Sequence, residues 1–109
     1  MEDKIIDNAK NVYLIGIGGT GMSGLARLLM SLGKNVYGSD KNRSPVLSEL
    51  SEKGAKIYYR QKGKHINRSI DVVIYSHAIV PDNPEYRSSV EYNIPMLTYP
   101  EAVGLIMKN

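Results

Sequence analysis

At 109 residues the chain has room for one domain with one modest core, which excludes a second domain of useful size. A hydrophobic content of 42% is too high for a disordered chain, and the absence of cysteine excludes disulfides and thiolate metal sites. The net charge of +3 suits an anionic ligand without by itself implying nucleic acid.

Met1 to Lys10 is a polar lead-in with room for one helical turn, and it lacks the apolar stretch of a signal peptide. No apolar run approaches the roughly 20 residues of a membrane span, so no membrane partner is expected and a cytoplasmic setting fits. Val12-Tyr13-Leu14-Ile15 is apolar on both faces, as a buried parallel strand must be. The segment from Met22 spaces Met22, Leu25, Ala26, Leu29 and Leu32 as one face of a helix, with Gly33 as its stop. Leu28, Leu29 and Met30 are assigned to packing in the core.

Between strand and helix lies Gly16-Ile17-Gly18-Gly19-Thr20-Gly21, a G-x-G-x-x-G pattern in the context that gives it meaning. Gly16 permits the tight turn, Gly18 lets backbone approach a phosphate, and Gly21 lets the helix pack against the sheet. The free N–H groups of the helix's first turn then face an anion, with the helix dipole behind them. About 20 residues further on, a second strand, Asn35 to Asp40, ends in an acid placed to accept from a ribose hydroxyl. Together the two features argue for a nucleotide with a diphosphate and leave its identity open.

Ser44-Pro45 opens a second helix that turns Val46, Leu47 and Leu50 inward and ends at Gly54. Lys56 to Tyr59 is a third strand, and a brief turn at His65 to Arg68 leads to the fourth, Asp71 to Tyr75. Ser76 to Val80 and the doubly proline-marked Pro81-Asp82-Asn83-Pro84 form a loop. Pro84 opens a helix reaching Asn93, anchored by Val90 and more weakly by Tyr86. Pro95 to Thr98 is a short fifth strand, and a last helix begins near Pro100 and runs to the end. Such alternation predicts a Rossmann-like α/β fold: a doubly wound, five-stranded parallel sheet in the order 3-2-1-4-5. Its ligand crevice lies outside the carboxyl ends of strands one and four, where Gly16–Met22, Gly38–Asp40 and Ser76–Asn83 should converge.

Other residues carry less. His65 and His77 have no partner at metal-ligand spacing, so no metal is expected. Asp71 reads as a cap at a strand end, and Glu85 as an acid favoured by a helix N-terminus or a support for the loop. Lys53, Lys56, Arg60, Lys62, Lys64 and Arg68 read as solvated surface, since no aromatic platform accompanies them.

The run Gly16 to Ala26 (GIGGTGMSGLA), with Gly38-Ser39-Asp40, Ser76-His77-Ala78-Ile79, Pro81 and Asn83-Pro84-Glu85, resembles the first domain of the Mur ligase family. The resemblance covers essentially the whole chain, 1–109, and favours the alanine-adding branch over the branch that recycles murein peptides. It implies a domain that holds UDP-N-acetylmuramic acid for a ligase of peptidoglycan synthesis. Gly16, Gly18, Gly19, Thr20, Gly21 and Met22 would hold the diphosphate. Asp40 and Ser76, His77, Ala78 and Ile79 would border the ribose and uracil, with Ser39 and Asn83 also among the residues that bind the UDP-sugar. The family usually has serine where this chain has His77; an imidazole beside the diphosphate would strengthen binding as pH falls.

In the complete family enzyme a central domain supplies ATP and magnesium, and a third domain closes over it. The phosphate-binding pattern G-x-x-x-x-G-K-[ST] is missing here: Gly19 and Gly24 have the spacing, but Leu25 stands where lysine is required. The chain reads as one isolated domain, inactive alone, with no cofactor of its own. Two other readings remain: a regulatory module that binds NAD or another adenine nucleotide, and a small basic nucleic-acid-binding domain.

Overall fold

The computed structural model describes residues 4–108, so Met1 to Asp3 of the lead-in and the terminal Asn109 lie outside the described residues. A single helical turn, α1 (Ile5–Asn8), precedes β1 (Asn11–Ile15), α2 (Met22–Ser31) and β2 (Asn35–Ser39). Then come α3 (Pro45–Glu52), β3 (Lys56–Tyr58), a short 3-10 turn (Gly63–His65) and β4 (Val72–Tyr75). The chain continues through α4 (Pro84–Glu91), β5 (Met96–Thr98) and α5 (Tyr99–Lys108). The strands pair in parallel in the order β3-β2-β1-β4-β5, as expected for the doubly wound fold.

Alternation along β1 and β4 divides the core between two faces. Val12, Leu14, Val72 and Ile74 face one way, into a cluster with Met22, Leu25, Ala26 and Leu29 of α2, Leu47 and Leu50 of α3, and Ala102 of α5. Tyr13, Ile15 and Val73 face the other way, onto Ile66, Ile70 and Ile94. The second face is the smaller one and carries α4. Among the described residues no helix is long and apolar enough to cross a membrane.

Local signals explain the boundaries. Helix α2 closes with the Gly33 amide on the Met30 carbonyl and the Lys34 amide on the Leu29 carbonyl, both at 3.0 Å, the paired bonds of a glycine-terminated helix. Ser44 caps α3 by accepting from the Leu47 amide at 3.4 Å, with Pro45 in the first turn. Asp71 caps strand ends as expected, its carboxylate accepting from the Lys10 and Asn11 amides at 2.9 and 2.8 Å. That places it at the edge of the sheet opposite the crevice.

Three packing expectations are corrected. Leu32 is 56% exposed, because it lies past the last turn of α2 and the chain turns away. Leu28 is 40% exposed on the outer side of α2, so of the Leu28–Met30 run only Leu29 is fully buried. Val90 does not anchor α4: it is 55% exposed, while the buried residues of that helix are Glu85 and Ser89. The helix is rotated to aim the Glu85 carboxylate into the sheet, where buried donors await it, and Ser89 donates back to the Glu85 carbonyl at 2.7 Å. Tyr86 is half-buried, its ring meeting that of Tyr75 edge-on at 5.1 Å.

This division predicts opposite outcomes for two truncations. Leu50→Ala should lower the unfolding free energy by about 2–5 kcal/mol, because it empties a filled core site. Val90→Ser should stay within about 0.5 kcal/mol of the parent. Urea unfolding of both variants checks this, and a large loss from Val90→Ser would restore the apolar face of α4.

Candidate functional site

The carboxyl ends of the strands open into a cleft of about 800 Å³. Its lining draws on every loop that leaves this edge from β1 to β4. Gly16, Gly18 and Gly19 follow β1; Asp40, Lys41, Asn42 and Ser44 follow β2; Gln61 follows β3. Ser76, Ala78, Ile79, Val80, Asp82, Asn83 and Pro84 follow β4. The three segments expected to converge do converge, across the point where the strand order reverses.

The glycine loop is held by its own backbone. The Gly16 and Ile17 amides both donate to the Ser39 carbonyl, at 2.9 and 3.0 Å, and the Gly19 amide donates to the Gly16 carbonyl at 3.0 Å. Gly16 and Gly21 adopt φ of +85° and +86°, a region that side chains disfavour. Helix α2 has no side-chain cap, and the Thr20, Gly21 and Met22 amides find no acceptor among the described residues. Those three donors, at the positive end of the helix dipole, are what an anion would engage.

Two glycines also make room for neighbours within the protein. A Cβ on Gly18 would stand 2.9 Å from the Asp40 carboxylate and 3.1 Å from Leu47 Cδ1. A Cβ on Gly21 would stand 2.7 Å from the Tyr99 ring, so its bareness admits α5 rather than the sheet. Asp40 is likewise engaged within the protein. One carboxylate oxygen accepts from the Gly18 amide at 2.9 Å and the other from the Asn42 amide at 3.0 Å. Its first task is to fasten the glycine loop to the end of β2.

The other expected residues divide. Ser76, Ala78, Ile79 and Asn83 reach the cleft. Thr20 and Gly21 sit at the start of α2 but outside the lining, and Met22 is buried in the core beneath the loop. Ser39 is fully buried and donates to Glu85 at 2.5 Å. His77 is exposed and off the lining, on a turn closed by the Ile79 amide donating to the Ser76 carbonyl at 3.0 Å, whereas its neighbour Ala78 reaches the cleft.

Val80 and Asp82 lie within the expected Ser76–Asn83 segment, but sequence reasoning missed Lys41, Asn42, Ser44, Gln61 and Pro84 as lining residues. Each follows the carboxyl end of a strand, and that signal could have found them. It also undervalued Glu85, which is 0% exposed and accepts from Tyr13 Oη at 2.7 Å, Ser39 Oγ, the Lys62 amide at 3.2 Å and His65 Nδ1 at 2.8 Å. Burial and the Glu85 charge push the Tyr13 hydroxyl far above its usual range, so it stays protonated and donating. His65 also stacks on Tyr58, with ring centroids 3.8 Å apart. Among the described residues no three His, Asp or Glu groups gather to hold a metal ion.

The model of the Mur ligase family, catalytic domain, matches residues 11–109. The chain belongs to the Mur ligase family. Among individual Mur ligases it is 45% identical to the UDP-N-acetylmuramate–L-alanine ligase of Clostridium acetobutylicum, over 94% of this chain and 22% of that protein. Against the ligase of the same name from Lachnospira eligens it is 44% identical, over 93% of this chain and 22% of the relative. The crystal structure of UDP-N-acetylmuramate-alanine ligase from Thermotoga maritima superposes with a TM-score of 0.86 at 28% identity, covering 93% of this chain and 23% of that one. The chain thus spans about a fifth of the length of these Mur ligases.

The contacts of Asp40 predict a stability effect in the absence of any ligand. Asp40→Ala should lower the unfolding free energy by about 1–3 kcal/mol, since it strips two backbone amides of a charged acceptor. An unchanged urea midpoint would mean that Asp40 does not hold the loop.

Proposed function

We propose that this chain is the UDP-N-acetylmuramic acid-binding domain, 1–109, of a UDP-N-acetylmuramate–L-alanine ligase of peptidoglycan synthesis. The observation that carries the reading is a cleft at the strand-order switch, lined by the glycine loop that leads into the uncapped start of α2, in a chain 45% identical to such a ligase over 94% of its own length. The Thr20, Gly21 and Met22 amides are the donors for the diphosphate, and Gly18 and Gly19 give the close backbone approach. Ser76, Ile79 and Asn83 border the nucleoside across the cleft. A cytoplasmic setting accompanies this reading.

ATP and magnesium do not fit the residues present. The position that would need the phosphate-binding lysine is Leu25, which is buried in the core. ATP-dependent activation of the substrate and attack by L-alanine therefore belong to other domains of such a ligase. The NAD-binding alternative relied on Asp40 as the adenosine ribose acceptor. Each Asp40 oxygen accepts one backbone amide and keeps a second lone pair toward the cleft, so Asp40 suits either ribose. The 45% identity to an alanine-adding ligase is what disfavours that alternative.

Calorimetric titration with UDP-N-acetylmuramic acid, UDP and NAD tests the proposal. The expected order of affinity is UDP-N-acetylmuramic acid above UDP, with NAD weakest. Backbone amide shifts should concentrate at Gly16–Met22 and Ser76–Asn83. An equal or stronger response to NAD would overturn the assignment. With ATP, magnesium and L-alanine added, this chain alone should give no ligation product and no ATP hydrolysis above background.

A further inference from the structure

We propose that Glu85, which lies beneath the cleft and not in its lining, is a positioning residue: its buried carboxylate holds the loop that carries Gln61, so that Gln61 and Asn83 form a hydrogen-bonded wall of the cleft. The inference rests on the reading of the cleft as a UDP-sugar site.

The Glu85 partners fall into two pairs. Tyr13 and Ser39 belong to β1 and β2, in the middle of the sheet. The Lys62 amide and His65 Nδ1 belong to the segment after β3, which also carries Gln61. The carboxylate therefore ties a loop to the rigid sheet through two charge-assisted bonds. Gln61 in turn accepts from Asn83 Nδ2 at 2.8 Å. β3 and β4 are separated by β2 and β1, so this single bond spans from the loop after one outer strand to the loop after β4.

The two ends of the bridge are held differently. Asn83 is fixed by its capping role, since its Oδ1 accepts from the Glu85 and Tyr86 amides at 2.8 and 3.2 Å. Gln61 has no such cap, and its place depends on the neighbouring Lys62 and His65 being held by Glu85. With the Asn83 oxygen accepting twice in the cap and the Gln61 oxygen accepting once in the bridge, the groups left for a ligand are mainly N–H donors. Such a wall suits an oxygen-rich ligand, as a UDP-sugar is.

The test uses two readouts on the folded chain: the side-chain amide resonances of Gln61 and Asn83 without ligand, and the Kd for UDP-N-acetylmuramic acid. His65→Phe keeps a ring on Tyr58 and removes the donor that holds the loop. It should move both amide resonances and weaken binding about tenfold. Tyr13→Phe removes a donor on the strand side, so it should lower the melting temperature, leave those resonances in place and keep Kd within about twofold. Glu85→Gln, which retains an acceptor for the loop, should bind within about threefold of the parent, whereas Glu85→Ala should not. In a Gln61→Ala background the His65→Phe loss should shrink to less than about twofold, because both changes act through one wall. If His65→Phe does not fold, Glu85→Asp, which keeps the charge but shortens its reach, is measured in its place with the same expectation. Unmoved amide resonances, or losses that simply add in the double variant, would overturn the proposal. If the parent binds neither UDP-N-acetylmuramic acid nor UDP, the functional reading fails, and the resonances alone decide the role of Glu85.

Discussion

A buried carboxylate destabilises a small domain unless donors surround it, and the arrangement around Glu85 is one solution to that constraint. Tyr13, Ser39, the Lys62 amide and His65 supply four donors from three separate parts of the chain. The orientation of α4 follows from this. A helix seated by Val90 would turn Glu85 toward water; the observed helix buries Glu85 and Ser89 instead and leaves Val90 outside. The second face of the sheet accordingly owes part of its order to polar bonds, whereas the first is an ordinary apolar core shared by four helices.

The opposite economy governs the glycine loop. There the backbone satisfies itself wherever it can, through the Ser39 carbonyl, the Gly16 carbonyl and the Asp40 carboxylate. The donors left over are those at the start of α2, where geometry allows no intrahelical acceptor. Under the proposed function, these are the donors that would meet the diphosphate. The cleft has a rigid floor of strand ends and a side wall whose position depends on side-chain bonds. Those two parts answer differently to mutation, the first through stability and the second through affinity.

Features governed by local rules were legible in the sequence. The G-x-G-x-x-G turn, the Ser44-Pro45 helix start, the Asp71 cap and the parallel order all follow from propensity, capping and connection length, and all are present. The convergence of the loops after β1, β2 and β4 was legible for the same reason, once the topology was set. Contacts between distant positions were not. Tyr13 and Glu85 are 72 residues apart, and Ser39 and Glu85 are 46 apart, so no spacing rule reveals the buried carboxylate they share. Asp40 was read by position alone, and its bonds to the Gly18 and Asn42 amides are tertiary and local details that position does not carry. The exposed side of His77 likewise depends on a turn that its flanking residues did not announce.

The most direct test of the account is a crystal structure of this chain with UDP-N-acetylmuramic acid. The diphosphate should lie against the Thr20–Met22 amides, the nucleoside should run toward the Gln61–Asn83 wall, and the Asp40 bond to the Gly18 amide should persist. A ligand seated outside this cleft, or a diphosphate that leaves the start of α2 untouched, would contradict it.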